Sequence, residues 1–324
     1  MQPFASARPS IEIGLVNNMP DAALHVTERQ FAGLLKAAGG RHDVRLRFYS
    51  LPEIPRGEHT RTYMRAIYDD FGQMFEAGLD GLIVTGAEPR ADDLTGECYW
   101  DSLAQVIDWA ETNVAASYWS CLAAHAAVRR LNGINRVRLD AKLSGVFDIQ
   151  AVGEDRLLAR LPKRICTPHS RLNGLNEQDL VAHGYSVLTH SAEAGVDTFA
   201  RRGPSLMMFG QGHPEYDADT LLREYCRDAG RYLCGKRDVP PAAPSRYLSQ
   251  RTQQALEAVA RRGRDHTLMA RYNAIAAMAT PKQVWRPTAV ALFRNWLSHI
   301  AAAKTAAMRT GRRAGNRALS HAQA

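Results

Sequence analysis

The chain has 324 residues, 45% of them hydrophobic and 23% charged, with a mean hydropathy of −0.32 and a net charge of +8. That composition is ordinary for a globular protein and excludes collagen, coiled-coil and disordered classes, and no apolar run approaches the ~20 residues of a membrane span. The excess charge is local: residues 240–300 hold nine Arg/Lys against two acids, residues 301–324 hold five against none, and the rest is mildly acidic, which argues against a nucleic-acid-binding body.

Five cysteines (Cys98, Cys121, Cys166, Cys226 and Cys234) are an odd, widely spaced set without a C-x-x-C pair. A disulfide framework and a structural zinc site are therefore disfavoured, and a reducing compartment is expected. Residues 1–10 show no charged segment followed by an apolar one, so a cytoplasmic location is expected.

In chain order, residues 11–16 read as a buried strand ending in the loop 17–20. A helix is predicted from Asp21, with Phe31, Leu34 and Leu35 on one face. Residues 44–49 alternate as a second strand, 63–75 read as helical, and 81–86 form a strand that stops at a glycine. A helix over 100–112 precedes the strand 115–120, which runs through Cys121 directly into a helix over 122–131. Strands alternating with helices predict a mostly parallel sheet covered on both faces. The second half reads as more antiparallel, with short strands at 185–189, 197–200 and 206–209 and a helix over 217–233. Pro240, Pro241 and Pro244 mark a break. Residues 246–278 and 290–303 read as helical, and from Thr305 the small, basic composition predicts a frayed or disordered tail.

In an open α/β sheet, reactive groups gather at the carboxyl ends of strands. Cys121 lies at such an end, between an apolar strand and an Ala-rich helix. There a helix N-terminus would stabilise a thiolate, and nearby backbone N–H groups could hold an oxyanion. The bland alternative is a buried structural cysteine, the usual fate of a free thiol. A second signal is Gly210-Gln211-Gly212-His213-Pro214-Glu215, in which a strand ends in glycines, a histidine follows and a carboxylate stands two residues on. Cysteine with a polarised histidine is the arrangement of acyl-thioester chemistry.

The order of strand, Cys elbow and later His-Pro-Glu resembles class I glutamine amidotransferases. The finer pattern resembles the homoserine O-succinyltransferase family of methionine biosynthesis, which shares that fold. The stretches that carry the resemblance are 17–20 (NNMP), 80–87 (DGLIVTGA), 99–100 (YW), 142–147 (KLSGVF), 168–171 (PHSR), 193–195 (EAG), 212–217 (GHPEYD), 285–286 (WR) and 292–297 (LFRNWL). It covers residues 11–240 and 284–300.

The resemblance implies that Cys121 takes an acyl group from an acyl-CoA, with His213 as general base and Glu215 as its orienting carboxylate. Lys142, Ser170 and Arg227 fall where the family contacts the amino-acid substrate. The family's oxyanion donors are backbone amides, falling here at Asn18 and Leu122. Arg90 aligns with the acyl-selecting position, commonly Gly in succinyl users and Glu in acetyl users. An arginine there could pair with a succinyl carboxylate, which favours succinyl-CoA. No metal or bound cofactor is expected; acyl-CoA and homoserine would be the small-molecule partners, and the family implies a homodimer. The chain divides into an amidotransferase-like domain (1–240), a helical extension (241–304) whose part 284–300 packs back on the domain, and the tail (305–324). The function expected is succinyl transfer from succinyl-CoA to the hydroxyl of L-homoserine through an acyl-cysteine. Acetyl-CoA as donor, serine as acceptor, or a non-catalytic binding or regulatory protein on the same scaffold are the alternatives.

Overall fold

Nine segments pair into one sheet. Ser10–Val16 (β1), Asp43–Tyr49 (β2), Gly81–Val84 (β3) and Ala116–Ser120 (β4) come from the first half of the chain. Val137–Ala151 (β5), Ile165–Gly174 (β6), Ser186–Ser191 (β7), Gly195–Arg202 (β8) and Leu206–Gly210 (β9) come from the second. The strand order is β2-β1-β3-β4-β9-β8-β7-β5-β6, parallel from β2 to β9 and antiparallel from β9 to β6. The coordinates are those of a computed structural model; they describe residues 10–321, with side chains through residue 310.

The apolar runs of β1, β3 and β4 follow from burial on both faces. Along β1, Ile11, Ile13 and Leu15 point to one face while Val16 points to the other; Ile83 and Leu82, and Tyr118 and Trp119, divide in the same way. The first face is covered by helix α1 (Asp21–Gly39), through Phe31, Leu34 and Leu35, and by a C-terminal helix, through Leu292, Phe293, Trp296, Leu297 and Ile300. Between α1 and the next helices the chain forms α2 (Glu58–Ile67). The opposite face is covered by α3 (Trp100–Asn113) and α4 (Leu122–Asn132), through Leu103, Val106, Ile107 and the run Ala123–Val128.

After the short α5 (Glu177–Ala182) and α6 (Thr220–Leu233), residues 246–278 form two helices, α7 (Gln250–Ala260) and α8 (Met269–Met278). The run Arg261-Arg262-Gly263-Arg264 interrupts them. α8 packs on α6 and α7 packs on α8, in a cluster built around Tyr225, Leu256, Tyr272 and Trp285, all nearly inaccessible. The last helix, α9, spans Arg286–His321. Residues 305–321, within the stretch expected to be frayed or disordered, are part of this helix. Ala and Arg are strong helix formers, and once Phe293 to Ile300 anchor the helix, each further residue extends an existing hydrogen-bonded turn. Residues 322–324 of the expected tail lie outside the described residues.

The parallel register brings reactive loops together. Val16 pairs with Val84, Val84 with Trp119, and Ser120 with Gly210. The chain therefore leaves β1, β3, β4 and β9 side by side along one rim of the sheet.

Candidate active site

Cys121 is the turn between β4 and α4. Its backbone takes φ +52° and ψ −109°, and its amide donates to Gly210 O at 2.7 Å. Its own carbonyl accepts from the Ala124 and His125 amides at 3.0 and 3.3 Å. A side chain held at positive φ costs on the order of 1–3 kcal/mol, strain that persists where surrounding structure imposes it. The turn presents the thiol at the N-terminus of α4, beside amides that have no acceptor within the helix. Of the five cysteines, none of them in a disulfide, Cys121 is the one lining the large cavity of about 330 Å³ at this rim. Cys166 is buried on β6, and burial pushes its thiol up to about 11.

His213 reaches the same cavity from the turn after β9. Its Nδ1 lies 2.9 Å from Glu215 Oε1, so the hydrogen-bond pattern assigns the proton to Nδ1 and leaves Nε2 for the cysteine. The ring stacks on Tyr216 with centroids 4.3 Å apart. Burial alone would lower the His213 pKa. The charges of Glu215 and Cys121, with hydrogen bonds to both, outweigh it and hold the imidazole well above its ordinary value.

Lys142, Ser170 and Arg227 meet on the far wall of the cavity, around two carboxylates that sequence reasoning missed. Lys142 Nζ lies 2.8 Å from Asp228 Oδ2, and Arg227 Nε donates to Asp228 Oδ1 at 3.0 Å. The Ser170 hydroxyl donates to Glu224 Oε2, and Tyr216 OH donates to Glu224 Oε1 at 2.8 Å. Burial would raise the Asp228 pKa, but the Lys142 and Arg227 cations hold it below the usual carboxylate range. The missed signal was helical spacing: Glu224, Arg227, Asp228 and Arg231 recur along α6 at intervals of three and four and share the cavity face.

Asn18 and Arg90 sit in surroundings that the local sequence does not indicate. The Asn18 amide donates to Thr85 Oγ1 at 2.8 Å, within a fully buried anchor that also ties Asn18 Oδ1 to the Leu51 amide. That bond engages the Asn18 amide in this structure. Leu122 is the first residue of α4, directly after Cys121. The chain at Gly86 abuts it so closely that a Cβ there would sit 2.7 Å from Leu122 Cβ. Arg90 lies outside the cavity. The amides of Arg90 and Ala91 both donate to Glu97 Oε1, at 2.6 and 2.8 Å, which curls the loop and leaves the Arg90 side chain exposed. Glu88 lines the cavity instead and pairs with Arg231 at 3.1 Å.

Among the described residues, no group of three or more His, Cys, Asp or Glu side chains is arranged to hold a metal ion, and no helix is long and apolar enough to cross a membrane. A family model described as homoserine O-succinyltransferase matches residues 5–307. The chain is 50% identical over 300 residues to the homoserine O-succinyltransferase of Rhodopseudomonas palustris, covering 92% of this chain and 90% of that one. It is 47% identical to that of Bradyrhizobium japonicum, covering 91% and 92%. Among solved structures, a glutamine amidotransferase from Thermotoga maritima is 10% identical, with a TM-score of 0.48, covering 82% of this chain and 96% of that one.

Proposed function

The chain belongs to the homoserine O-succinyltransferase family and is an O-succinyltransferase; from that premise we propose that it moves the succinyl group of succinyl-CoA to the hydroxyl of L-homoserine through a thioester on Cys121. The observation that carries this reading is the meeting of a strained cysteine with a histidine whose other ring nitrogen is bound by Glu215.

In the first half-reaction the Cys121 thiolate attacks the thioester carbonyl of the donor, with the Leu122 amide and the Gly86–Ala87 turn facing the developing oxyanion. The bond to CoA sulfur breaks, and the His213 imidazolium gives its proton to the departing thiolate. In the second, neutral His213 takes the proton of the homoserine hydroxyl as that oxygen attacks the acyl-Cys121 carbonyl. The ester leaves, Cys121 departs as the thiolate, and imidazolium and thiolate are restored. Glu215 holds the ring and supports its charge in both directions.

The α6 wall fits a zwitterionic amino acid, because it offers both signs at one place. Arg227 and Lys142 can take an α-carboxylate, while Glu224 and Asp228 can take an α-ammonium. With Arg90 outside the cavity, the succinyl carboxylate needs another cation. Arg138 and Arg171 line the cavity and have no ion-pair partner among the described residues. CoA release measured with succinyl- and acetyl-CoA against homoserine and serine tests the reading. Succinyl-CoA with homoserine is expected to give the largest kcat/KM. A larger value with acetyl-CoA or with serine overturns the assignment of donor or acceptor.

A further inference from the structure

Beneath the catalytic turn lies a buried polar pair, His169 and Asp197, that the proposed chemistry does not use. His169 on β6 and Asp197 on β8 are 0% and 2% exposed. His169 Nε2 and Asp197 Oδ1 stand 3.0 Å apart in a close polar contact and, among the described residues, neither atom has a hydrogen-bond partner of good geometry. The other carboxylate oxygen accepts from the Thr189 and Thr198 hydroxyls at 2.8 and 3.0 Å, and Arg171 Nε donates to His169 Nδ1 at 3.3 Å. Burial pushes the His169 pKa down. Burial would raise that of Asp197, yet the hydrogen bond and charge of His169, with the two threonine hydroxyls, hold it below its ordinary value.

A buried polar network of this kind adds little net stability over well-packed apolar residues, so its contribution is to fix position. What it fixes is the turn carrying His213. The Gln211 amide donates to Asp197 O at 2.8 Å, and the His213 amide donates to Pro168 O, next to His169, also at 2.8 Å. Between these bonds Gly212 lies directly on the pair. A Cβ there would stand 2.8 Å from Asp197 Oδ1, 3.1 Å from His169 Nε2 and 2.4 Å from Thr167 Cγ2. The turn has no room to sink and is bonded against lifting.

We propose that the buried His169–Asp197 pair positions catalysis from below, locking the turn Gln211–His213 so that the His213 imidazole stays in register with Cys121. The two are positioning residues, not catalytic ones, and the inference rests on the reading of Cys121 and His213 given above.

The test is single-turnover CoA release from succinyl-CoA by the full chain, with the KM for succinyl-CoA measured alongside. His169→Leu is expected to slow release about 100-fold, the scale of an ångström-sized misplacement, while KM stays within about twofold. His169→Gln, whose side-chain amide can still donate to Asp197, is expected to recover about tenfold of that loss, a rescue that a merely space-filling role would not produce. A folded His169→Leu chain releasing CoA within about threefold of wild type overturns the proposal, as does a Gln variant no faster than the Leu variant. Should the Leu variant not fold, Asp197→Asn decides: a loss of about 30-fold in release at unchanged KM supports the proposal, and wild-type release overturns it. Wild-type protein separates the two readings. Without stoichiometric CoA release from wild type both fall, whereas normal release from wild type and variants alike removes only the positioning role.

Discussion

At Cys121 the backbone accepts a strained φ of +52° to set a thiol at a helix N-terminus, and at His213 the charges of Glu215 and Cys121 hold the pKa of a buried ring above its ordinary value. These two residues carry the most direct predictions. His213→Gln should lower turnover by about 100- to 10,000-fold, the range of a lost acid–base group, with little change in succinyl-CoA binding. Glu215→Gln should cost less, since it orients the ring without moving the proton itself; steady-state kinetics of both variants check the order. His213 also sets a pH signature. Its folded pKa is raised, so its stabilising contribution is complete below its ordinary value and is lost as pH rises through the folded value. Unfolding free energy should therefore fall more steeply on alkalinisation in wild type than in His213→Gln, as denaturant titrations at neutral and alkaline pH would show. At this scale much was legible. A cysteine between an apolar strand and an Ala-rich helix, and a His two residues before a carboxylate, carry their chemistry in local sequence. The surroundings of Asn18 and Arg90 were not legible because the groups that engage them are distant: the Thr85 hydroxyl takes the Asn18 amide, and Glu97 turns the Arg90 loop outward.

The elements explain both the precision of the site and the limits of reading it. Gly86 stands at the start of the loop after β3, against Leu122, so Gly86→Ala should push α4 away from its place. The expected outcome is overpacking of about 1–3 kcal/mol, seen in thermal unfolding, together with a fall in kcat. The Arg90 loop should behave oppositely. Arg90→Glu is expected to leave the succinyl-to-acetyl ratio of kcat/KM within about twofold of wild type, because the side chain lies outside the cavity. Strands β1, β3, β4 and β9 were legible because burial on both faces makes them apolar throughout. The antiparallel pair β5 and β6 was not read as strands, although Lys142, Ser170 and Arg171 stand on it. Half-exposed strands carry charges on one face, and Val137-Arg138-Leu139-Asp140-Ala141-Lys142 has the alternation without the apolar run. The α6 wall was hidden differently: Glu224 and Asp228 look like a solvated helix face until the fold turns that face toward Cys121.

Across the whole molecule, the C-terminal part is tied to the reacting turn. The Trp285 indole N–H donates to Tyr216 O at 3.0 Å, and the side-chain amide of Gln283 donates to the same oxygen. Arg286 binds Gly33 O at 2.7 Å, and α9 then covers the sheet beside α1. Trp285→Phe should cost about 1 kcal/mol for the lost hydrogen bond and lower kcat more than it alters KM. Trp296→Ala, in the body of α9, should cost about 3–5 kcal/mol and leave the kinetics of the remaining folded protein unchanged; chemical denaturation and kinetics on both variants separate the two roles. That a segment near residue 285 returns to Tyr216 cannot be seen from local pattern, since nothing in the intervening residues records the pairing. The central claim is a covalent one, and intact-mass analysis after mixing the protein with succinyl-CoA, without homoserine, tests it most directly. The account predicts one succinyl group added per chain, located at Cys121 by peptide mapping, absent from Cys121→Ala and discharged by homoserine. An unmodified wild-type chain, or a Cys121→Ala chain that still turns over, would contradict it.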